Sequence, residues 1–464
     1  MKLNYSKLPE SFYAFVQPDV FESAHCVFWN EGLIESYENS FTQEAFISFV
    51  SGKATWPNEP LAMAYAGHQF GHFNVLGDGR ACLVDEWKSQ EGILHDVHLK
   101  GSGVTPFSRR GDGRATLRSM LREALVSEAI HALGIPTTRT LAVLNTGDFI
   151  HRSGMEKGGL LARMASSHLR VGTFEFTRLA ENSEDLKALA DYAIARHYPA
   201  AAQAENPYLE FLKVVVRVQI DLVVNWMRVG FIHGVMNTDN MSIAGETIDY
   251  GPCAFMNVYH PSTCFSSIDS ERRYAYAAQP AIAQWNLWVL ANSLMPLLHE
   301  NAKVAKEMAV EVIEEFPTLF GKAYYKMMGE KLGVEISTQD GREWVEELLS
   351  MMEETHSDFT NSFLFLEGKE VSEVYLKNSD RFESWVARKE EFKQVEIAQR
   401  NPLVIPRNEW VEHVLNEAVN NDNWEFFNQY LNRLKNPYES IPEEDVFSTF
   451  NPKYDSNFKT FCGT

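Results

Sequence analysis

The chain has 464 residues, 45% of them hydrophobic and 23% charged, the composition of a folded soluble protein with a core large enough for two or three lobes. Its 42 Lys and Arg stand against 63 Asp and Glu, a formal charge of −21. That balance excludes a nucleic-acid binder, whose phosphate contacts need a basic face, but leaves room for a nucleotide site, which needs only a few local cations. No apolar run approaches the roughly 20 residues of a membrane helix. The start, Met1-Lys2-Leu3-Asn4-Tyr5, has neither the apolar core of a signal peptide nor the Arg-rich bias of a transit peptide. The cysteines, Cys26, Cys82, Cys253, Cys264 and Cys462, are too widely spaced for a Cys-x-x-Cys site or a disulfide framework. A cytoplasmic monomer with no nucleic-acid and no membrane partner is expected.

Residues 1–60 read as irregular structure with short strands or helices, bounded by the turn-rich Trp56-Pro57-Asn58-Glu59-Pro60. His68 and His72 stand four apart, but Gln69 and Gly71 intervene where a metalloprotease helix has Glu and no glycine, so 67–73 is read as a structured loop rather than a metal site. Gly77-Asp78-Gly79-Arg80 precedes an apolar strand at 81–87. Gly77 and Gly79 would let backbone amides approach a phosphate and Arg80 would add a charged fork; a plain hairpin turn is the competing reading. Residues 94–100 alternate as a strand that ends at Lys100, either a phosphate anchor or a solvated edge-strand lysine.

Between Lys100 and Arg122 lie six basic residues, Lys100, Arg109, Arg110, Arg114, Arg118 and Arg122, opposed only by Asp112 in the stretch Gly111-Asp112-Gly113. This local reversal of sign is the main compositional pointer to a phosphate site. A helix follows over about 115–133, with Leu117, Leu121, Leu125 and Ile130 on its apolar face. Glu123 on that helix is the candidate partner of Lys100, with Glu128 as the alternative. Strands at 139–145 and 158–164, joined through Thr146-Gly147, complete a small antiparallel lobe; Arg163 closes the last strand and Arg170 follows it. These two arginines suit a triphosphate or, alternatively, surface ion pairs.

From about 184 the pattern is helical: 186–198, a nearly apolar 207–229 ended by Gly230, 280–299, and then 302–315, 318–332, 341–356, 379–397, 408–420 and 422–434. Between the second and third helices stands His233-Gly234-Val235-Met236-Asn237-Thr238-Asp239-Asn240, followed by Asp249-Tyr250-Gly251. Asn240 and Asp249 are oxygen-bearing ligands nine positions apart, and 241–248 reads as a strand–turn–strand hairpin that would bring them together around Mg²⁺. The order His-Gly-x-x-x-x-x-Asn, then Asp-x-Gly, is the layout of a kinase catalytic loop and its metal aspartate. Kinases place a base aspartate two positions after the His. Here that position is Val235, which accepts no proton, and a carboxylate stands instead at Asp239.

The stretches Gly67-His68-Gln69-Phe70-Gly71, Gly77-Asp78-Gly79-Arg80, Lys100-Gly101-Ser102-Gly103, Ser108-Arg109-Arg110-Gly111-Asp112-Gly113-Arg114, Arg163–Arg170, His233–Asn240 and Asp249-Tyr250-Gly251-Pro252, in that order, resemble the selenoprotein O family of kinase-fold protein AMP-transferases. The resemblance implies an α+β, bilobed, protein-kinase-like fold. Residues 1–165 would form the nucleotide-binding β lobe with one long helix, 166–330 the helical lobe with catalytic loop and metal site, and 331–464 a C-terminal helical extension. It implies ATP bound in reverse, with its α-phosphate toward a protein Ser, Thr or Tyr hydroxyl. Lys100, Arg163 and Arg170 would then hold phosphates, and Gly77, Gly79, Arg80, Asp112 and Gly113 would line the nucleotide pocket. Glu123 would position Lys100, and Asn240 and Asp249 would bind Mg²⁺ (or Mn²⁺), Asp249 also meeting the nucleotide. Asp239 would be the base; a structural or metal-shell carboxylate is its alternative role. It further implies a redox pair between Cys264 and Cys462. The competing readings are UMP transfer from UTP with Mn²⁺, a kinase acting on a small molecule or a protein, which Val235 opposes, and a non-catalytic nucleotide-binding scaffold, which the full set of Lys100, Asn240 and Asp249 opposes.

Overall fold

The computed structural model describes residues 2–38, 41–179, 183–397, 400–440 and 445–461. Strands β1 (Tyr13–Phe15), β2 (His25–Trp29), β3 (Leu61–Gln69), β4 (His72–Gly77), β5 (Ala81–Lys88), β6 (Leu94–Lys100), β7 (Ala115–Thr116), β8 (Arg139–His151) and β9 (Met155–Ala165) form one antiparallel sheet. Its order is β1-β3-β5-β6-β9-β8-β2, with β4 beside β3 and β7 beside β9. Helices α1 (Glu31–Glu35) and α2 (Gln43–Val50) cover one face and α3 (Leu117–Ala132) the other. The division follows from strand periodicity. Ala142, Leu144, Leu160 and Ala162 pack with Phe46 and Val50 of α2, whereas Val143 and Leu161 pack with Leu117, Leu121 and Leu125 of α3.

The rest of the chain is mainly helical: α4 (Val171–Thr177), α5 (Ser183–His197), α6 (Pro207–Arg228), α7 (Gln279–Leu298), α8 (Ala302–Glu314), α9 (Phe316–Leu332), α10 (Gln339–Glu354), α11 (Phe359–Leu366), α12 (Phe382–Ala387), α13 (Asn408–Asn420) and α14 (Glu425–Leu434). The central α6 starts at Pro207, behind the Asn206 side chain, which accepts from Leu209 N at 3.1 Å. Gly230, at φ 71°, turns the chain away after it. A two-stranded ribbon, β10 (Phe231–Ile232) with β11 (Ala254–Phe255), flanks the loop between them. No helix among the described residues is long and apolar enough to cross a membrane.

Several segments depart from the sequence expectation. Residues 61–77, read partly as loop, are the β3–β4 hairpin. Its two-residue turn places Phe70 and Gly71 at φ 52° and 85°, the mirror-image turn that matches strand twist, and its glycines hide the strand periodicity. β8 and β9 run past Thr146-Gly147, which lies in an irregularity between Asn145 and Phe149; the connection is made by 152–154. The 379–397 helix shrinks to α12 and one 3₁₀ turn, because only Phe382 and Trp385 are buried before the charged Arg388-Lys389-Glu390-Glu391. Residues 241–248 turn at Gly245 but do not pair with each other: Ser242 bridges to Arg170 and Thr247 to Thr137. Its backbone groups are satisfied instead by the chain at 136–138 and 169–171, which takes up Met241, Ile243 and Thr247. The 331–464 segment divides between two cores, α13 and α14 sharing theirs with α3.

Glu246 ties that segment to the end of β9, accepting from Ser166 N at 3.1 Å. Burial pushes its carboxyl up from 4.5 to about 7, against the pull of Ser166 and Arg196. At pH 6 the folded chain therefore keeps a proton that the unfolded chain has released, so this site's contribution to stability falls as pH rises from about 4.5 to about 7 and then levels off. Glu246→Gln, which keeps an acceptor, should raise Tm more at pH 8 than at pH 5, as thermal unfolding at the two pH values will show.

Candidate active site

Register assembles the basic centre. In the sheet, His98 of β6 pairs with Arg163 of β9, and Lys100 lies two residues along from His98. Side chains two apart on a strand share a face, so Lys100 and Arg163 converge below the sheet. Lys100 Nζ donates to Glu123 Oε2 at 2.7 Å and to Asp249 Oδ1 at 2.9 Å. Arg163 donates to Glu123 Oε1 at 3.1 Å and to the same Asp249 oxygen at 2.8 Å. Lys100 thus stands on an inner strand, not an edge, and Glu123 is its partner; Glu128 is taken by Arg139 at 2.7 Å. Asp249 has a left-handed backbone, φ 64°, which aims its carboxylate back at the three cations. Burial alone would raise that carboxyl; Lys100, Arg163 and Arg170 outweigh it and hold it well below the usual carboxylate range.

Arg170 is the least satisfied of the three. It is 2% exposed, 3.6 Å from Asp249, 3.8 Å from Asp78, and lies over the Tyr65 ring at 4.4 Å. The Nε atoms of both Arg163 and Arg170 are buried without a partner. Buried guanidinium donors with hydrogen-bonding capacity to spare suit an anion. Surface ion pairing, the alternative for these arginines, does not describe them.

The loop 233–240 is held from several sides. His233 Nε2 lies 2.9 Å from Ile248 O, and Asn286 Nδ2 donates to Met236 O at 2.9 Å. The tip of the β3–β4 hairpin docks on the loop: His68 N donates to Thr238 Oγ1 at 2.7 Å and Phe70 N to Asn237 Oδ1 at 3.1 Å. His68 also meets Glu175 of α4. Gly67 lies directly on Asp239, where a Cβ would stand 2.3 Å from Oδ1. Asp239 is 8% exposed, its Oδ1 has no hydrogen-bond partner, and burial pushes its carboxyl up to about 6. Val235 is buried, so the usual base position is part of the core. Asn240 Nδ2 donates to Val235 O at 3.2 Å, which leaves its Oδ1 as the acceptor end of the amide. Among the described residues no three His, Cys, Asp or Glu cluster as a metal cage. Asn240 and Asp249 carry hard oxygens of the kind that could hold Mg²⁺ together with phosphate oxygens.

The predicted glycines pack protein against protein. A Cβ on Gly77 would meet the Phe107 ring at 2.4 Å, one on Gly79 the Phe107 carbonyl at 2.9 Å, and one on Gly113 the Gly103 carbonyl at 2.1 Å. They fold the 101–114 loop tightly beneath the 77–80 turn. Asp78, between the first two, is buried and accepts from Met63 N at 3.1 Å and His98 Nε2 at 3.0 Å. Arg80, Lys100, Asp112 and Glu123 border one cleft of 1380 Å³. Asp112 is paired with Arg152 at 2.8 Å, which holds its carboxyl down to about 2.

The basic run 100–122 is less free than its sequence suggests. Arg114 pairs with Asp19 at 2.8 Å, and both Arg118 and Arg122 pair with Glu412 of α13, the latter at 3.0 Å. The opposing carboxylates come from distant parts of the chain. Arg122 also donates to Cys253 O at 2.7 Å. One side chain therefore joins α3, the chain just after Asp249 and the C-terminal helices. Sequence reasoning missed Glu412, for which no local signal exists, and Gly67, which lay in a stretch it had read as a loop. The Cys264 thiol donates to Asp269 at 3.3 Å, and Thr460 runs beside Ser266. Cys462, its expected redox partner, lies outside the described residues.

A family model described as "Protein adenylyltransferase SelO" matches residues 1–435. The chain is 46% identical over 475 residues to the "Protein nucleotidyltransferase YdiU" of Bacillus cytotoxicus, spanning 99% of this chain and 97% of that protein. It is 44% identical to the protein of the same name from Nitrosococcus oceani, over 99% of this chain and 96% of that one. With the corresponding protein of Clostridium botulinum the identity is 43%, over 99% and 97%.

Gly67→Ala should push Asp239 out of place. The expected result is turnover reduced about tenfold or more with little change in Tm, since a small misplacement in an active site is costly; steady-state kinetics beside thermal unfolding check this. Glu412→Gln should loosen α3 from the rim of the cleft. A several-fold lower kcat, with Glu412→Asp restoring more of it than Gln, is expected from the same assays.

Proposed function

The chain belongs to the protein adenylyltransferase SelO family, and from that premise we propose that it transfers AMP from ATP to Ser, Thr or Tyr hydroxyls of other proteins, working in the cytoplasm. It is a nucleotidyltransferase. In the proposed reaction the acceptor oxygen attacks the α-phosphorus, the bond from that phosphorus to the bridging oxygen breaks, and pyrophosphate leaves with the bonding electrons. The acceptor proton passes to Asp239.

The observation that carries this reading is the pair of buried arginines with unused donors beside Asp249. Cations that deep beneath the sheet suit the β- and γ-phosphates of a nucleotide lying with its tail inward and its α-phosphate outward. Lys100, Arg163 and Arg170 hold the tail, and Glu123 keeps Lys100 and Arg163 in line. Arg80 and the Asp112-Gly113 turn border the nucleoside end of a bilobed, kinase-like cleft, with Gly77 and Gly79 shaping its roof. Mg²⁺ held by Asn240 and Asp249 would neutralise charge on the phosphates; Mn²⁺ has the same donor preference.

Asp239 suits a base on two counts: it is beside Asn240, and its burial favours proton uptake more than an exposed aspartate does. The protein covers it with Gly67, so the hairpin tip must shift for a hydroxyl to reach it. Transfer of the terminal phosphate, the kinase reading, lacks its base, because Val235 is buried and apolar.

ATP labelled at the α- or γ-phosphate separates the two readings. Protein should retain label from the α position alone, with a mass gain of one AMP residue that Asp249→Ala abolishes. Asp239→Asn should lower the rate about 10²–10⁴-fold, the usual worth of a positioned base, while ATP binding persists. Label retained from the γ position would replace adenylyl transfer with phosphoryl transfer.

A further inference from the structure

The four most exposed large apolar side chains of the described residues are Phe461 at 71%, Met155 at 66%, and Phe149 and Val104 at 61%. Three of these four, Phe461, Met155 and Phe149, border the same cleft that Lys100 and Glu123 border. Scattered exposed hydrophobics need no explanation, but a concentration at the mouth of a functional cleft marks a contact surface. Phe149 and Met155 are held at the facing ends of β8 and β9, so two of the three are presented by a hairpin rather than by loose chain.

The cleft is also basic. Eight Lys and Arg border it against four Asp and Glu, in a protein of net charge −21. Arg163 and Arg170, the deepest cations, are not among the eight, and Asp249, which faces both of them, is not among the four. The cleft's 1380 Å³ exceeds the roughly 300–1,000 Å³ usual for a small-molecule pocket. Room therefore remains after a nucleotide is seated. Arg110 and Lys459 are exposed at this mouth, and Lys157, on β9 beside Met155, joins them.

We infer that this mouth is the docking surface for the protein that receives AMP, and that it takes an extended segment carrying aromatic or aliphatic side chains next to Asp or Glu. Phe149, Met155 and Phe461 provide the apolar contact, and Arg110, Lys157 and Lys459 meet the acidic residues. Methionine and phenylalanine adapt to different shapes, so the surface reads a class of segment rather than one sequence. The inference rests on the proposed AMP transfer and adds the choice of acceptor.

The test uses the full chain, ATP labelled at the α-phosphate, and two peptides of equal length with one Ser and one Tyr each. One has Leu, Phe, Asp and Glu flanks, the other Ser, Gly and Lys flanks. The acidic apolar peptide should show a KM about tenfold lower or better. Phe149→Ser with Met155→Ser, and separately Arg110→Glu, should raise that KM about tenfold while kcat and the KM for ATP hold. These exposed positions are not expected to disturb folding. Equal KM values for the two peptides, unchanged KM in the variants, or a rise in the KM for ATP instead would each overturn the docking inference, the last by giving the surface to the nucleotide. Labelling of whole proteins but of neither peptide would also overturn it and leave AMP transfer standing. No labelling of any protein or peptide would remove AMP transfer itself.

Discussion

One carboxylate oxygen organises this molecule. Asp249 Oδ1 receives Lys100 from β6 and Arg163 from β9, and both cations also hold Glu123 of α3. Sheet, helix and the loop after α6 therefore meet at one point. Removing any partner would leave a buried charge uncompensated, at about 3–5 kcal/mol. The same arithmetic explains why the ion cluster is not an ordinary structural one. A core held only for stability would be better built from apolar side chains, whereas a cluster of cations with unpartnered Nε atoms suits an anion.

Around that point the fold places three braces that reach it from outside. The β3–β4 hairpin presses on the 237–239 turn through two backbone donors and the bare Cα of Gly67. Arg122 reaches from α3 to Cys253 O and to Glu412 of α13. Glu246 grips the end of β9. Each brace couples a segment that bears chemistry to one that bears none. Motion of the hairpin or of α3 would accordingly be felt at Asp239 or Lys100.

The cleft mouth follows a different logic from the buried cluster. Below, the charges are buried and the arginines are closed off from water; at the mouth, apolar side chains stand exposed beside cations. A small substrate has no use for the second kind of surface, whereas a protein acceptor does. Electrostatic attraction at such a mouth favours encounter with acidic partners more than it raises final affinity.

Much of this was written in local sequence. The order of Lys100, Glu123, Arg163, Arg170, Asn240 and Asp249 along the chain, the strand ending at Lys100 and the long apolar α6 could be read because periodicity and motif spacing are short-range properties. The substitution of Val235 and the carboxylate at Asp239 were equally visible. What only the tertiary structure decided was pairing. It chose Glu123 over Glu128 by giving the latter to Arg139, and it neutralised Arg118 and Arg122 with Glu412, 290 or more positions away. It opened 241–248 outward rather than into a hairpin, and made the 61–77 stretch a hairpin laid on the 233–240 loop. The physical reason is common to all four. Residue type and spacing set which groups can form an interaction; which partner each group finds depends on packing between segments far apart in the chain, where local periodicity carries no signal.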